Sequence, residues 1–252
     1  MKFKYFSINN SGASVRCKIY FNDLHGVKRV VIYGHGFGGH KDNKAAENFA
    51  DYVLKKYKDI SVLTYNAPCH GDDVRKALTL DDCNLYIKIV SGYAKEKLKA
   101  REIYSYATSF GGYLILKYIA ENESPFKKIA LRCPAVNMYE VLAGSIVEPA
   151  ALKALARNKS ALVGFDRKIK INKQFLESLK VADIFKNDYK EYAENILIVQ
   201  GTKDEVVSFG KVEEFADKNS IRFVPVEGAD HRFQGQSIMN KAIKEIVSFF
   251  EF

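Results

Sequence analysis

The chain has 252 residues, enough for one large α/β domain or two small ones, and its 47% hydrophobic content supports a real core. No stretch reaches the ~18 apolar residues of a membrane helix, and the opening MKFKYFSINNSG lacks the apolar centre of a signal peptide. The net charge of +9 comes from lysines scattered over helix faces, as in Ala94–Lys99, with no nucleic-acid motif beside them, so the expectation is a solvated surface and neither nucleic acid nor membrane as partner.

Taken in order, Lys2–Ile8 and Ser14–Phe21 alternate as an antiparallel pair joined at Asn9–Gly12. Lys28–Tyr33 reads as a buried strand running into Gly34-His35-Gly36-Phe37-Gly38-Gly39. A helix follows at about Asn43–Lys56, then a strand at Ile60–Tyr65 and a turn containing Cys69, His70 and Asp72. Thr79 and the acids after it mark the start of another helix.

Ile103–Tyr106 is the next strand, Tyr113–Ala120 the next helix, and Phe126–Cys133 a strand closed by Pro134. Strand–helix alternation resumes with Ile196–Val199, Phe209–Lys218, Ile221–Val226 and Gln236–Phe250. Between them, residues 135–192 break the rhythm, with a helix opening at Pro149, a β-like Lys168–Ile171 and a helical Lys173–Leu179. Neither end of that interval is a flexible linker, so the reading is one domain, 1–252, carrying an insertion. The alternation predicts an α/β class: a mostly parallel sheet with helices on both faces.

Parallel sheets put their ligands at the carboxyl ends of the strands. Four such ends carry chemistry here: the glycine-rich loop at His35–Gly39, then Ser109, then Gly201-Thr202-Lys203-Asp204, then Gly228-Ala229-Asp230-His231. Each has a plainer reading alone: Ser109 or Asp204 as a helix cap, His231 as a loop residue. Together they supply a hydroxyl, a carboxylate and an imidazole in the order Ser, Asp, His, the set nucleophilic catalysis needs. Small residues on both sides of Ser109 suit a sharp strand-to-helix turn, and that turn would make the N–H of Phe110 a donor to a developing oxyanion. Asp230 adjoins His231 and would point elsewhere.

These motifs resemble the α/β-hydrolases over nearly the whole chain, most of all the group holding cinnamoyl/feruloyl-type esterases, monoacylglycerol lipases and serine aminopeptidases. Ala107 stands where that family usually has glycine. The resemblance implies the α/β-hydrolase fold with eight strands and an inserted cap, 135–192, after the sixth. It implies a Ser109–His231–Asp204 triad, the N–H of Phe37 as second oxyanion donor, and no metal or cofactor. Its activity would be that of a serine carboxylesterase acting on a small-molecule ester of a small, medium or aromatic acyl group. An aminopeptidase-like amidase gripping an amino group through Glu140 or Glu148, a thioesterase, and a non-catalytic binding protein are the alternatives.

Apolar residues of the insertion (Val141, Leu142, Ile146, Leu152, Leu155, Leu162, Val163 and Phe165) would either line the pocket or pack the cap onto the core. No Arg-rich or Gly-rich phosphate cradle is visible, which counts against phosphorylated substrates. Cys17, Cys69, Cys83 and Cys133 have no paired spacing and read as small buried hydrophobes or free thiols in a reducing compartment, the cytoplasm. The oligomeric state stays open, a homodimer included.

Overall fold

A computed structural model describes residues 1–252. Eight strands form one sheet in the order β1-β2-β4-β3-β5-β6-β9-β10. They are β1 (Lys2–Asn10), β2 (Ala13–Phe21), β3 (Arg29–Gly34), β4 (Ile60–Tyr65), β5 (Glu102–Thr108), β6 (Lys128–Arg132), β9 (Ile196–Gly201) and β10 (Arg222–Val226). β2 runs antiparallel to β1 and β4, and every pairing from β4 to β10 is parallel. The central strands are buried along nearly their whole length because helices cover both faces. The edges are handled differently. β1 is lysine-bearing and mostly exposed, and β10 carries Pro225, which an edge strand tolerates.

One face packs against α1 (Lys44–Lys56) and α8 (Gln236–Phe250), through Phe49, Val53, Ile243 and Phe250. The other packs against α2 (Leu80–Glu96), α3 (Phe110–Glu121) and α7 (Phe209–Asn219). The caps follow the sequence: Asn43 accepts from Ala45 N at the head of α1, and Thr79 from Asp82 N at the head of α2.

Between β6 and β9 the chain leaves the sheet. It forms α4 (Met138–Val141), a π-helical turn (Leu142–Ile146), α5 (Pro149–Ala156), a small hairpin of β7 (Ala161–Val163) with β8 (Ile169–Ile171), and α6 (Lys173–Val181). β7 has no alternating pattern to announce it, being three residues long with Leu162 outward. Val141, Leu142, Leu155 and Val163 turn inward and join the main core, and Tyr113 of α3 donates to the Ala182 carbonyl at 2.9 Å, which ties this segment to the body. No helix is long and apolar enough to cross a membrane.

Candidate active site

Ser109 sits between β5 and α3 with φ 51° and ψ −119°, a conformation that is strained for a residue with a side chain. Neighbouring backbone holds it there. Ser109 N–H donates to the Arg132 carbonyl at the end of β6, and the Ser109 carbonyl accepts from Tyr113 N and Ala135 N. The turn tolerates no bulk. A Cβ on Gly111 would lie 2.6 Å from the Gly34 carbonyl oxygen, and one on Gly112 would lie 2.9 Å from Pro134 Cβ. Ala107 is accommodated because Gly34 faces it: a Cβ added to that glycine would meet the alanine methyl at 3.2 Å. The departure from the usual elbow pattern is therefore absorbed on the facing strand.

The loop after β3 passes close over the serine, since a Cβ on Gly36 would come within 3.2 Å of Ser109 Cβ. The next residue, Phe37, lies beside Phe110, their rings 5.6 Å apart edge to face. Phe37 N–H has no protein acceptor, and Phe110 N–H, first in α3, has no partner within its helix.

His35 stiffens this loop. Its Nδ1–H donates to the Gly36 carbonyl at 2.8 Å and its Nε2 accepts from Ala67 N at 3.0 Å, bridging the loops after β3 and β4. His70, which in the sequence looked like an ordinary turn residue, is wholly buried. Its ring stacks on Phe110 and stands edge-on to Phe37, with Nδ1 bonded to the Pro68 carbonyl. Burial pushes both histidines down, His35 to about 3 and His70 to about 4, so both are neutral at pH 7.

The consequence is acid lability. In the unfolded chain each histidine takes up its proton near pH ~6.5. In the fold neither does so until about 4 (His70) and about 3 (His35). Their contribution is fully present above the unfolded value and is lost as pH falls from there toward the folded values. Unfolding free energy from denaturant titrations is expected to fall by on the order of 1.4 kcal/mol per pH unit per histidine between pH ~6 and ~4.5. Replacing His70 by Asn should flatten that slope, and an unchanged slope would contradict the assignment.

The carboxylate and the imidazole are brought together by stitching between two loops. Lys203 N donates to the Ala229 carbonyl, Thr202 N to the Val226 carbonyl and Gly228 N to Thr202 Oγ1. Gly201 makes this approach possible, because a Cβ there would sit 2.4 Å from the Ala229 carbonyl oxygen. His231 Nδ1–H consequently donates to Asp204 Oδ2 at 2.8 Å. The other carboxylate oxygen accepts from Val206 N and Val207 N, at 2.9 and 2.8 Å, and Gln200 Nε2 reaches Oδ2 at 3.0 Å. Burial opposes ionisation of Asp204, but the His231 hydrogen bond and those backbone donors hold its carboxyl below the ordinary carboxylate value. With Nδ1 as donor, Nε2 is left free to accept a proton.

Ser109, His231, Gly36 and Phe37 line one cavity of about 810 Å³. From the segment between β6 and β9, Ser145, Ile146, Phe165, Asp166 and Arg167 also reach it. Of the apolar residues expected to face the pocket, only Ile146 and Phe165 do so; Leu162 is largely exposed. Glu140 and Glu148 do not line the cavity, and Glu148 pairs with Lys168 at 3.1 Å. The Ser109 hydroxyl makes no hydrogen bond to the helix it heads, and it shares the cavity with His231 without a direct bond between them.

Cys133 lies behind the acid. Its Sγ, an Asp204 oxygen and a His231 nitrogen are all within 4.8 Å of one another, a spacing compatible with a metal. Burial and the Asp204 charge push its thiol well above the ordinary thiol value. It is therefore protonated, while Asp204 and His231 already serve each other, a donor set poorly matched to a cation.

A sequence model of the family described as alpha/beta hydrolase fold matches residues 29–161, more than half of the chain. No curated protein sequence matches. Among solved structures, Est1E from Butyrivibrio proteoclasticus with ferulic acid bound superposes with a TM-score of 0.75 at 17% identity, over 98% of this chain and 100% of that one. A putative hydrolase from Agrobacterium vitis gives 0.77 at 13%, covering 98% of each chain. Alpha/beta hydrolase domain-containing protein 10 from mouse gives 0.71 at 12%, again over 98% of each. At these identities the likeness is one of fold.

Proposed function

Because the chain belongs to the alpha/beta hydrolase fold family, we propose that it is a serine hydrolase of carboxylic esters, working through Ser109, His231 and Asp204. The observation that carries this reading is the 2.8 Å bond from His231 Nδ1 to Asp204, in a cavity shared with a serine held at positive φ. A serine hydroxyl is a poor nucleophile at neutral pH, so His231 Nε2 takes its proton as Oγ attacks the acyl carbonyl. The C=O electron pair moves onto oxygen, and the N–H groups of Phe37 and Phe110 receive that charge; each such donor is worth on the order of 3 kcal/mol. The imidazolium then protonates the departing alkoxide. Water, deprotonated by the same nitrogen, releases the acid from the acyl-enzyme. Asp204 keeps the proton on Nδ1 throughout and stabilises the charged ring.

Residues 135–192 act as a cap on the single domain 1–252, with Ile146 and Phe165 facing the acyl group. An aromatic or medium-length acyl chain suits those two side chains and agrees with the ferulic acid bound by Est1E. The aminopeptidase-like reading loses support, because Glu140 and Glu148 lie away from the cavity. Four free cysteines suit a reducing cytoplasm.

A panel of aryl esters of increasing acyl length, run beside peptide anilides and acyl thioesters, tests the assignment. Ester turnover exceeding anilide turnover by at least a hundredfold in kcat/KM is expected. Turnover confined to anilides would move the assignment to an amidase.

A further inference from the structure

Arg132, the last residue of β6, is only 5% exposed and lines the same cavity as Ser109. Its guanidinium has poor company. Nη1 donates to the Arg232 carbonyl at 3.3 Å and approaches Met239 Sδ at 3.5 Å, Nε has no partner, and the Phe233 ring lies 5.1 Å away. No carboxylate comes within 4.0 Å of it, and the Asp230 carboxylate instead accepts from Gln234 N. Burying a lone charge costs several kcal/mol unless a counter-charge is supplied.

The surroundings also favour an anion in this cavity. Two long helices begin at this end of the cavity: α1, through Asn43, Lys44 and Ala45, and α8, through Gly235 and Gln236. Gly235 caps α8 without a side chain, which leaves its first N–H groups unclaimed. Both helices open on the cavity that Arg132 lines, and the positive ends of their dipoles favour an anion there. Lys44 adds an exposed charge, shared with Glu47 at 2.9 Å. The acids that reach the cavity are engaged elsewhere: Asp166 with Arg232 at 2.9 Å, and Glu205 with the N–H of His231 at 3.3 Å.

We propose that the α1–α8 end of the cavity is an anion subsite in which Arg132 binds a carboxylate of the substrate, making the preferred substrate a half-ester of a short dicarboxylic acid. A planar guanidinium matches a carboxylate with two parallel hydrogen bonds, and the neighbouring N–H groups serve the remaining lone pairs. A short chain is favoured because the Ser109 N–H donates to the Arg132 carbonyl, so the backbones that carry nucleophile and anchor are adjacent and both side chains reach one cavity. The proposal rests on the serine-esterase reading and narrows it. The groups come from Arg132 of β6, Lys44 of α1 and the N-terminus of α8, far apart in sequence, so the absence of an Arg-rich or Gly-rich run concealed them.

The test compares monoethyl glutarate with diethyl glutarate, followed by proton release, in the wild type, Arg132→Met and Arg132→Lys. In the wild type kcat/KM for the half-ester should exceed that for the diester at least tenfold. Arg132→Met should reduce that ratio at least tenfold, mainly through KM, and Arg132→Lys should restore part of it. Glutarate should inhibit the wild type competitively and more strongly than inorganic phosphate, with the inhibition weakening as salt rises. A wild-type ratio at or below one, a ratio unchanged in Arg132→Met, or inhibition by phosphate alone would overturn the proposal. If Arg132→Met does not fold, glutarate inhibition of the wild type decides. If neither glutarate ester is cleaved while aryl esters are, the half-ester proposal is overturned. If the aryl esters are refused as well, the esterase reading has failed, and the rise in Tm with glutarate, expected at millimolar concentration, still judges the anion subsite.

Discussion

Ser109→Ala is expected to lower ester turnover by on the order of 10⁵ to 10⁶-fold while leaving stability within about 0.5 kcal/mol. On the proposed mechanism activity is lost because no other group can replace Ser109 as the nucleophile. The Cys133 thiol is buried behind Asp204 and held protonated, and the Cys69 thiol is pushed up to about 11 by burial. Stability is spared because the Ser109 hydroxyl makes no hydrogen bond to the helix it heads, so alanine leaves no partner unsatisfied there. The positive φ is imposed by the backbone bonds to Arg132, Tyr113 and Ala135, and alanine meets the same strain as serine. Steady-state kinetics on an activated ester, with thermal melts of both proteins, reads both halves. Turnover near the wild-type rate in a well-folded variant would remove Ser109 from the mechanism.

Asp204→Asn should lower kcat by on the order of 10⁴-fold. The backbone dictates why. Val206 N and Val207 N both donate to Oδ1, so the amide oxygen of Asn stays with them and its NH₂ turns toward His231. A donor facing Nδ1 forces the ring proton onto Nε2, the nitrogen that accepts from Ser109 in the proposed mechanism. Gln200 need not resist the change. Its Nε2 now meets Oδ2 while its buried Oε1 has no partner, and rotating the amide lets that oxygen accept from the new NH₂. The expected variant is folded and tautomerically wrong, with kcat lost and KM nearly kept. A loss of less than tenfold in kcat would show that Asp204 does not orient the imidazole.

Much of this arrangement could be read before any coordinates. The strand Ile60–Tyr65 and the helix Gln236–Phe250 lie where periodicity places them, because a fully buried strand and an amphipathic terminal helix carry strong local signals. Ser109, Asp204 and His231 were legible as strand-end residues, and the structure brings them to one cavity edge, Asp204 through its bond to His231. The tolerance of Ala107 was not legible, since it depends on Gly34 one strand away. Nor was the setting of His70, whose neighbours Phe37 and Phe110 come from other loops. The segment between β6 and β9 was the least readable: its apolar residues divide between core and cavity, and sequence spacing carries no information about which does which. Arg132 makes the same point for charge, because in the sequence it is one arginine before a proline-marked strand end.

The central claim is that Ser109 is a nucleophile activated by His231, and covalent labelling reads it most directly. Wild-type protein treated with a fluorophosphonate at pH 7.5 should gain the mass of one adduct, located on Ser109 by peptide mapping, and His231→Ala should slow that reaction by at least a hundredfold. Folded protein that stays unmodified, or an adduct on any other residue, would contradict the account.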